Sequence, residues 1–268
     1  MAARVIITPS DTGIAEVCLN RPNKRNALDH ALFEEIAEAG ESLRGTPGLR
    51  AVILHGAGEA FCAGIDTAEF LRMAADIDAV RAEMRAARPG APNRFQRPVT
   101  IWAHLDVPVI AALQGVAFGA GIQLALGADF RISAPDTRFS IMESRWGLIP
   151  DMGLTQSLPR LMRADQAKDL VLTGRIFDAS EALALGLLTR IAADPLQAAR
   201  DMAAGFTAVS PDVLRAGKHL IDQAWSAPPG LGLTLEAEAQ ASLIGGPNQL
   251  EAVRAGLEKR APLFRDIG

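Results

Sequence analysis

The feature that most narrows how this chain can fold is Val109–Ala128, twenty consecutive residues without a charged side chain. Such a stretch is long enough to cross a bilayer, and its Gly115-x-x-x-Gly119 spacing matches a helix-packing pattern of membranes. Its other residues argue against a span. Glycines at 115, 119, 121 and 127 and glutamines at 114 and 123 interrupt it, and an interior glycine costs a helix in water roughly 1 kcal/mol. The flanking charges are Asp106 and Asp129, which give no Lys or Arg asymmetry to orient a span. A buried strand at Pro108–Gly115, a glycine turn, a helix at Ala120–Leu126 and a further strand at Asp129–Ala134 fit better. No membrane association is expected.

The same alternation recurs on either side. Val5–Thr8 and Ile14–Asn20 read as a hairpin turned at Asp11-Thr12-Gly13. Asp29 is placed to cap a helix running to Leu43, with Leu32, Ile36 and Leu43 at helical spacing and Gly45 just past the end. Ala51–His55 is a continuous apolar run, as expected of a strand buried on both faces. Glu69–Arg97 carries six arginines and four acids and reads as a solvated helix and loop. After Asp194 the strand signal fades, and Asp194–Val209, Pro211–Trp225, Leu231–Leu243 and Gln249–Lys259 read as successive helices. The expectation is an α/β core over residues 1–193 and a helical region over 194–268.

Composition removes several functions. With 268 residues, 49% of them hydrophobic and 22% charged, the chain can bury a sizeable core and needs no disulfide framework. Lys plus Arg at 27 against Asp plus Glu at 31 gives 27 − 31 = −4, so no nucleic-acid partner is expected. Cys18 and Cys62 are the only thiols, and Met1–Gly13 lacks the long apolar run of a signal peptide, which together predict a reduced, cytoplasmic protein. His30, His55, His104 and His219 form no HExxH pattern and no GxSxG elbow occurs, so neither a metal site nor serine-hydrolase chemistry is expected.

Three segments could carry chemistry. Glu59–Asp66 and Gln114–Gln123 each lead from a strand through small residues into a helix, where backbone N–H groups lack helical acceptors. Donors from Ile65 and Ala120 would form an oxyanion hole if the fold brought the two loops together. Gly119-x-Gly121 alternatively suggests a dinucleotide loop, but Leu124 stands where a third glycine is required. Phe139–Gly153 places Glu143 and Asp151 eight positions apart among Met, Trp and Leu, surroundings that raise a carboxyl pKa toward that of a general acid or base. The plain alternative pairs Glu143 with Arg145 or Arg131 and makes Asp151 a helix cap. Cys62, beside the first loop, is either a small buried hydrophobe or a nucleophile.

Taken together these residues resemble the enoyl-CoA hydratase/isomerase, or crotonase, family. The resemblance runs from Asn20-Arg21-Pro22-Asn23-Lys24-Arg25-Asn26-Ala27-Leu28 through the three segments to Gln156–Arg160, Leu172–Arg175, Ala182-x-x-x-Gly186-Leu187 and Glu258–Phe264. It implies a spiral of β-β-α units, a helical C-terminal region serving trimer formation, and a homotrimer or homohexamer. It also implies an acyl-CoA thioester substrate, with no cofactor because CoA is part of the substrate. On that resemblance the Ile65 and Ala120 N–H groups bind the thioester oxygen, and Lys24, Arg25, Ala27, Ala63 and Asp66 hold CoA. Lys259 and Phe264 reach its nucleotide portion across subunits.

One departure bears on the reaction. Family hydratases carry a second glutamate where this chain has Gln123, which can orient substrate but cannot exchange a proton near neutral pH. Asp151 stands where hydratases have glycine and where double-bond-shifting members have a functional aspartate. The expectation is therefore isomerisation, with Glu143 and Asp151 exchanging protons with an enolate. Hydration of a 2-enoyl-CoA and a catalytically silent acyl-CoA binder are the alternatives.

Overall fold

The first two strands, β1 (Val5–Pro9) and β2 (Ile14–Leu19), form the expected antiparallel hairpin, with Val5 opposite Leu19. The computed structural model describes residues 3–228 and 230–266, so the extreme ends of the expected 1–193 and 194–268 regions, and Pro229, lie outside the described residues. Helix α1 (His30–Leu43) starts at Asp29, whose carboxylate accepts from the Leu32 N–H at 3.0 Å. It buries Leu32, Phe33 and Ile36. Strand β3 (Ala51–Gly56) then runs parallel to β2.

Residues 69–97 depart from the expected single helix and loop. Helix α2 (Thr67–Ala75) is capped by Asp66, and Asp76 both ends α2 and caps α3 (Ile77–Arg85). Helix α4 (Arg97–Ala103) follows the intervening loop.

The uncharged stretch divides in three. Strand β4 (Val109–Leu113) is buried at every position, β5 (Val116–Phe118) belongs to a second sheet, and α5 (Ala120–Leu126) closes the β-β-α unit. The sequence reading missed β5 because the chain changes sheets within two residues. Gly115 makes that bend at φ +64°, and any side chain there would meet the Glu59 carbonyl oxygen at 1.9 Å. No helix among the described residues is long and apolar enough to cross a membrane.

The spiral continues with β6 (Phe130–Ser133), β7 (Arg138–Ser140), α6 (Leu154–Ser157), α7 (Ala164–Thr173), β8 (Phe177–Asp178), α8 (Ala179–Ala184) and β9 (Arg190–Ile191). The larger sheet has the order β1-β2-β3-β4-β6-β9, and the smaller β5-β7-β8. The four helices expected after Asp194 are all present, as α9 (Pro195–Thr207), α10 (Pro211–Ala224), α11 (Leu231–Leu243) and α12 (Pro247–Glu258).

Period-two alternation assigns the faces of the large sheet. Ala51, Ile53, Ile110, Ala112 and Ile132 pack on Ala199 and Ala203 of α9. Val52, Leu54, Val109, Ala111 and Leu113 point the other way, into the main core with α1 and α5. Coverage on both faces explains why these strands are continuous apolar runs. It also leaves their C-terminal loops free to build a site.

Candidate active site

The loop from β3 to α2 is fixed on both sides. Fully buried Asn26 donates to the carbonyls of Ala57 (3.0 Å) and Ala60 (2.8 Å) and accepts from the Arg21 N–H (2.8 Å). The loop then runs beside β5: the Cys62 N–H donates to Val116 O at 3.1 Å, and the Phe118 N–H to Cys62 O at 3.0 Å. A side chain at Gly121 would stand 2.3 Å from Cys62 O, so glycine is required for this approach. On the other side, the Leu28 N–H donates to Gly64 O (2.7 Å) and the Asp66 N–H to Leu28 O (2.8 Å).

These ladders bring the two expected donors together. A Cβ on Gly64 would lie 3.9 Å from the Ala120 nitrogen, and the Ile65 nitrogen is two bonds beyond the Gly64 Cα. Ile65 and Ala120 line the same cavity. Among the described residues neither N–H has a protein acceptor. Two orphan donors on one wall can hold a developing oxyanion.

The carboxylates face that wall. Glu143 opens a 3-10 turn, Glu143–Trp146, that follows β7, and buried Gln123 projects from α5. The Gln123 Nε2 donates to Glu143 Oε1 at 2.7 Å, and its Oε1 accepts from the Met152 N–H at 2.9 Å. One amide thus ties together the two segments that bear Glu143 and Asp151. The second oxygen of Glu143 is buried without a partner among the described residues. Burial pushes Glu143 above the usual carboxylate range; its backbone and Gln123 hydrogen bonds pull it back, and the charge of Asp151 raises it further. Burial likewise raises Asp151, offset by a backbone hydrogen bond.

The plain alternatives for these acids fail. Among the described residues Glu143 pairs with neither Arg145 nor Arg131, which instead donates to the carbonyls of Leu187 (2.7 Å) and Ala128 (2.6 Å), and α6 starts at Gly153 with no side-chain cap. Cys62 is fully buried and desolvation lifts its thiol to about 12, which removes it as a nucleophile at neutral pH.

The cavity encloses about 510 Å³. Lys24, Ala27, Ala63 and Asp66 line it together with Ile65, Ala120, Gln123, Glu143 and Asp151; Arg25, Lys259 and Phe264 are not on its wall. Arg25 sits at φ 48° with its carbonyl accepting from the Ala63 N–H, and Lys259 ends α12 in the left-handed region. The Asp66 carboxylate is engaged by the Ala68 N–H (3.1 Å) and Arg21 (3.0 Å); the Ala68 bond chiefly, and Arg21 with it, outweigh burial and hold it below its usual range. Phe70, Met73, Ile77, Val80 and Met84 also line the cavity. They went unread in the sequence, although their spacing of three, four, three and four is a helical stripe.

This arrangement corresponds to known proteins over nearly its whole length. A family model described as enoyl-CoA hydratase/isomerase matches residues 10–267. Enoyl-CoA hydratase domain-containing protein 2, mitochondrial, of Homo sapiens is 33% identical over 262 residues, covering 95% of this chain and 86% of its own. Methylglutaconyl-CoA hydratase, mitochondrial, of Mus musculus is 30% identical over 261 residues, covering 94% and 80%. The crystal structure of enoyl-CoA hydratase from Bacillus anthracis superposes with a TM-score of 0.89 at 31% identity, covering 98% of this chain and 99% of that one. With the β-β-α spiral and the whole-chain match in agreement, the chain belongs to the enoyl-CoA hydratase/isomerase family.

Proposed function

We propose that this protein shifts a carbon–carbon double bond within an acyl-CoA thioester. The observation that carries the reading is the pair of half-buried carboxyls, Glu143 and Asp151, both raised above their usual range and both lining the cavity that holds the Ile65 and Ala120 N–H groups. The two amides accept the charge that builds on the thioester oxygen as a proton leaves carbon, which stabilises the enolate. One carboxylate takes that proton; the other, protonated, delivers one to a different carbon of the conjugated system. The double bond moves, and the next turnover starts with the carboxyls' protonation reversed or re-equilibrated with water. CoA arrives on the substrate, and no resident cofactor takes part.

Gln123 holds Glu143 in this scheme. Its amide fixes one carboxylate oxygen and leaves the other free to face substrate. Lys24, Ala27, Ala63 and Asp66 are the proposed CoA-side wall, with Arg25 stabilising their loop. Lys259 and Phe264 are proposed to reach CoA from a neighbouring copy in a trimer built on the C-terminal helices.

The second reading is addition of water to a 2-enoyl-CoA, favoured by the word hydratase in the names of these relatives. It requires a proton-exchanging group where this chain has an amide. Proton NMR in heavy water with enoyl-, dienoyl- and aryl-CoA thioesters separates the readings. Isomerisation gives a shifted vinyl pattern with deuterium on carbon; hydration gives a 3-hydroxyacyl product. Tight binding with neither change points to a silent acyl-CoA binder and overturns the proposal.

A further inference from the structure

The cavity is chemically two-sided. Its ionisable lining residues are Lys24, Asp66, Glu143 and Asp151, all already placed at the thioester or CoA end. Along α2 and α3, beyond Thr67 at the start of α2, the lining is apolar: Phe70, Met73, Ala74, Ile77, Val80 and Met84. Of the cations in and after these helices, Arg72 donates to Glu69 (2.6 and 3.0 Å) and Arg94 pairs with Glu83 (2.6 Å) and Glu34 (3.0 Å), whereas Arg85 and Arg88 have no ion-pair partner among the described residues. None of these four arginines is on the cavity wall. Across from α2, Trp146 stacks on Phe70 with ring centroids 5.6 Å apart and planes 26° from parallel. Trp146 ends the same short turn that Glu143 begins, so this aromatic wall stands directly beside the acid.

We infer that the acyl group is uncharged and apolar well beyond the thioester, lying along α2 and α3, and that Phe70 and Trp146 are specificity-determining residues. The inference rests on the acyl-CoA reading above and names the class of substrate. An apolar tail gains from every methylene removed from water. A tail ending in a carboxylate would be stripped of water along a wall that holds no cation to pair with it. Methionines at 73 and 84 give that wall adjustable shape, which suits a range of chain lengths better than one rigid substrate.

The test is calorimetric binding to the intact protein, which needs no turnover. The probes are butanoyl-, hexanoyl- and octanoyl-CoA and the mono-CoA thioester of octanedioic acid. Affinity is expected to rise about fourfold per added methylene, and the octanedioic thioester to bind about 30-fold more weakly than octanoyl-CoA. Phe70→Ala and Trp146→Ala should each weaken octanoyl-CoA about tenfold more than butanoyl-CoA. Equal affinities across the series, or a carboxylate-ended chain that binds as well as octanoyl-CoA, overturn the inference. Steep length dependence here, with no double-bond shift in the proton NMR assay on enoyl- and dienoyl-CoA thioesters, leaves it standing and sinks the isomerase reading. Flat binding here, with isomerisation in that NMR assay, does the reverse, and binding of none of the thioesters sinks both.

Discussion

An amide at position 123 can donate and accept, but both ends are already used, on Glu143 and on the Met152 N–H. On the proposed reading, proton transfer then falls to Glu143 and Asp151. Asp151→Asn and Glu143→Gln are each expected to lower isomerase kcat by about 10²–10⁴-fold while thioester affinity changes little; an Asp151→Asn enzyme with full turnover on every accepted acyl-CoA removes that residue from the mechanism. Both carboxyls bind their protons more tightly in the folded protein than in the unfolded chain. Ionising them therefore costs folding stability, a cost absent below the unfolded pKa values and fully present above the folded ones. The double variant Glu143→Gln/Asp151→Asn should be more stable than the parent at pH 8, with the difference shrinking toward pH 4, as read by urea unfolding at each pH. The kcat profile should show its acid limb above the ordinary carboxylate range, a macroscopic property of the pair. Glycine carries a comparable demand. Gly121→Ala forces a methyl to 2.3 Å from Cys62 O, and separating these backbones should cost about 1–3 kcal/mol of stability and most of the activity.

At the scale of elements, the sequence was legible wherever one strong local signal decided the outcome. Asp29 caps α1 through the Leu32 N–H, the uncharged run at 109–113 forms a doubly buried strand, and proline- or glycine-punctuated helices follow Asp194. It was illegible where tertiary contacts decide. Strands β5 and β7 have three residues each, too few to show a period, and exist because Cys62 and Gly115 hold the chain beside them. In α2 and α3 the arginines hid an apolar stripe that lines the cavity, with Val80 also in the main core and Met73 packed against it. The site was half readable for the same reason: glycine-flanked loops and paired acids could be named, but Asn26 pinning Ala57 and Ala60 is a contact across 31 to 34 residues. Element docking has its own test at α10, where Lys218 donates to Asp129 (2.7 Å) and Val107 O (3.0 Å). Burial raises the Asp129 pKa, and Lys218 opposes that rise. Lys218→Ala leaves the carboxylate without its cation and should cost about 2 kcal/mol at pH 7. Because Asp129 then takes up a proton more readily, the deficit should shrink as pH falls; a deficit constant from pH 8 to pH 5 would mean that Lys218 acts only through packing.

For the whole molecule, the unresolved demand lies at the C-terminal end. Helix α11 buries none of its thirteen residues within the single chain, although Leu231 and Leu233 are exposed. An isolated helix of this length is marginal in water and draws its stability from packing. Helix α10 packs against it and leaves Trp225, just past its end, 65% exposed, while Leu257 of α12 is 81% exposed. Apolar surface distributed over three successive helices is what an association interface presents. This supports the proposed assembly of copies through α10–α12, and it gives Lys259 and Phe264, which miss the cavity of their own chain, a route to a neighbour's substrate. Sedimentation equilibrium should find a trimer or hexamer for the parent protein. Leu233→Glu should shift it toward monomer with helical content preserved by circular dichroism. If the neighbour supplies CoA contacts, that dissociated variant should also bind octanoyl-CoA more weakly, although position 233 is not on the cavity wall. A monomer that retains full thioester affinity would separate assembly from binding, and would leave Lys259 and Phe264 without a part in holding CoA.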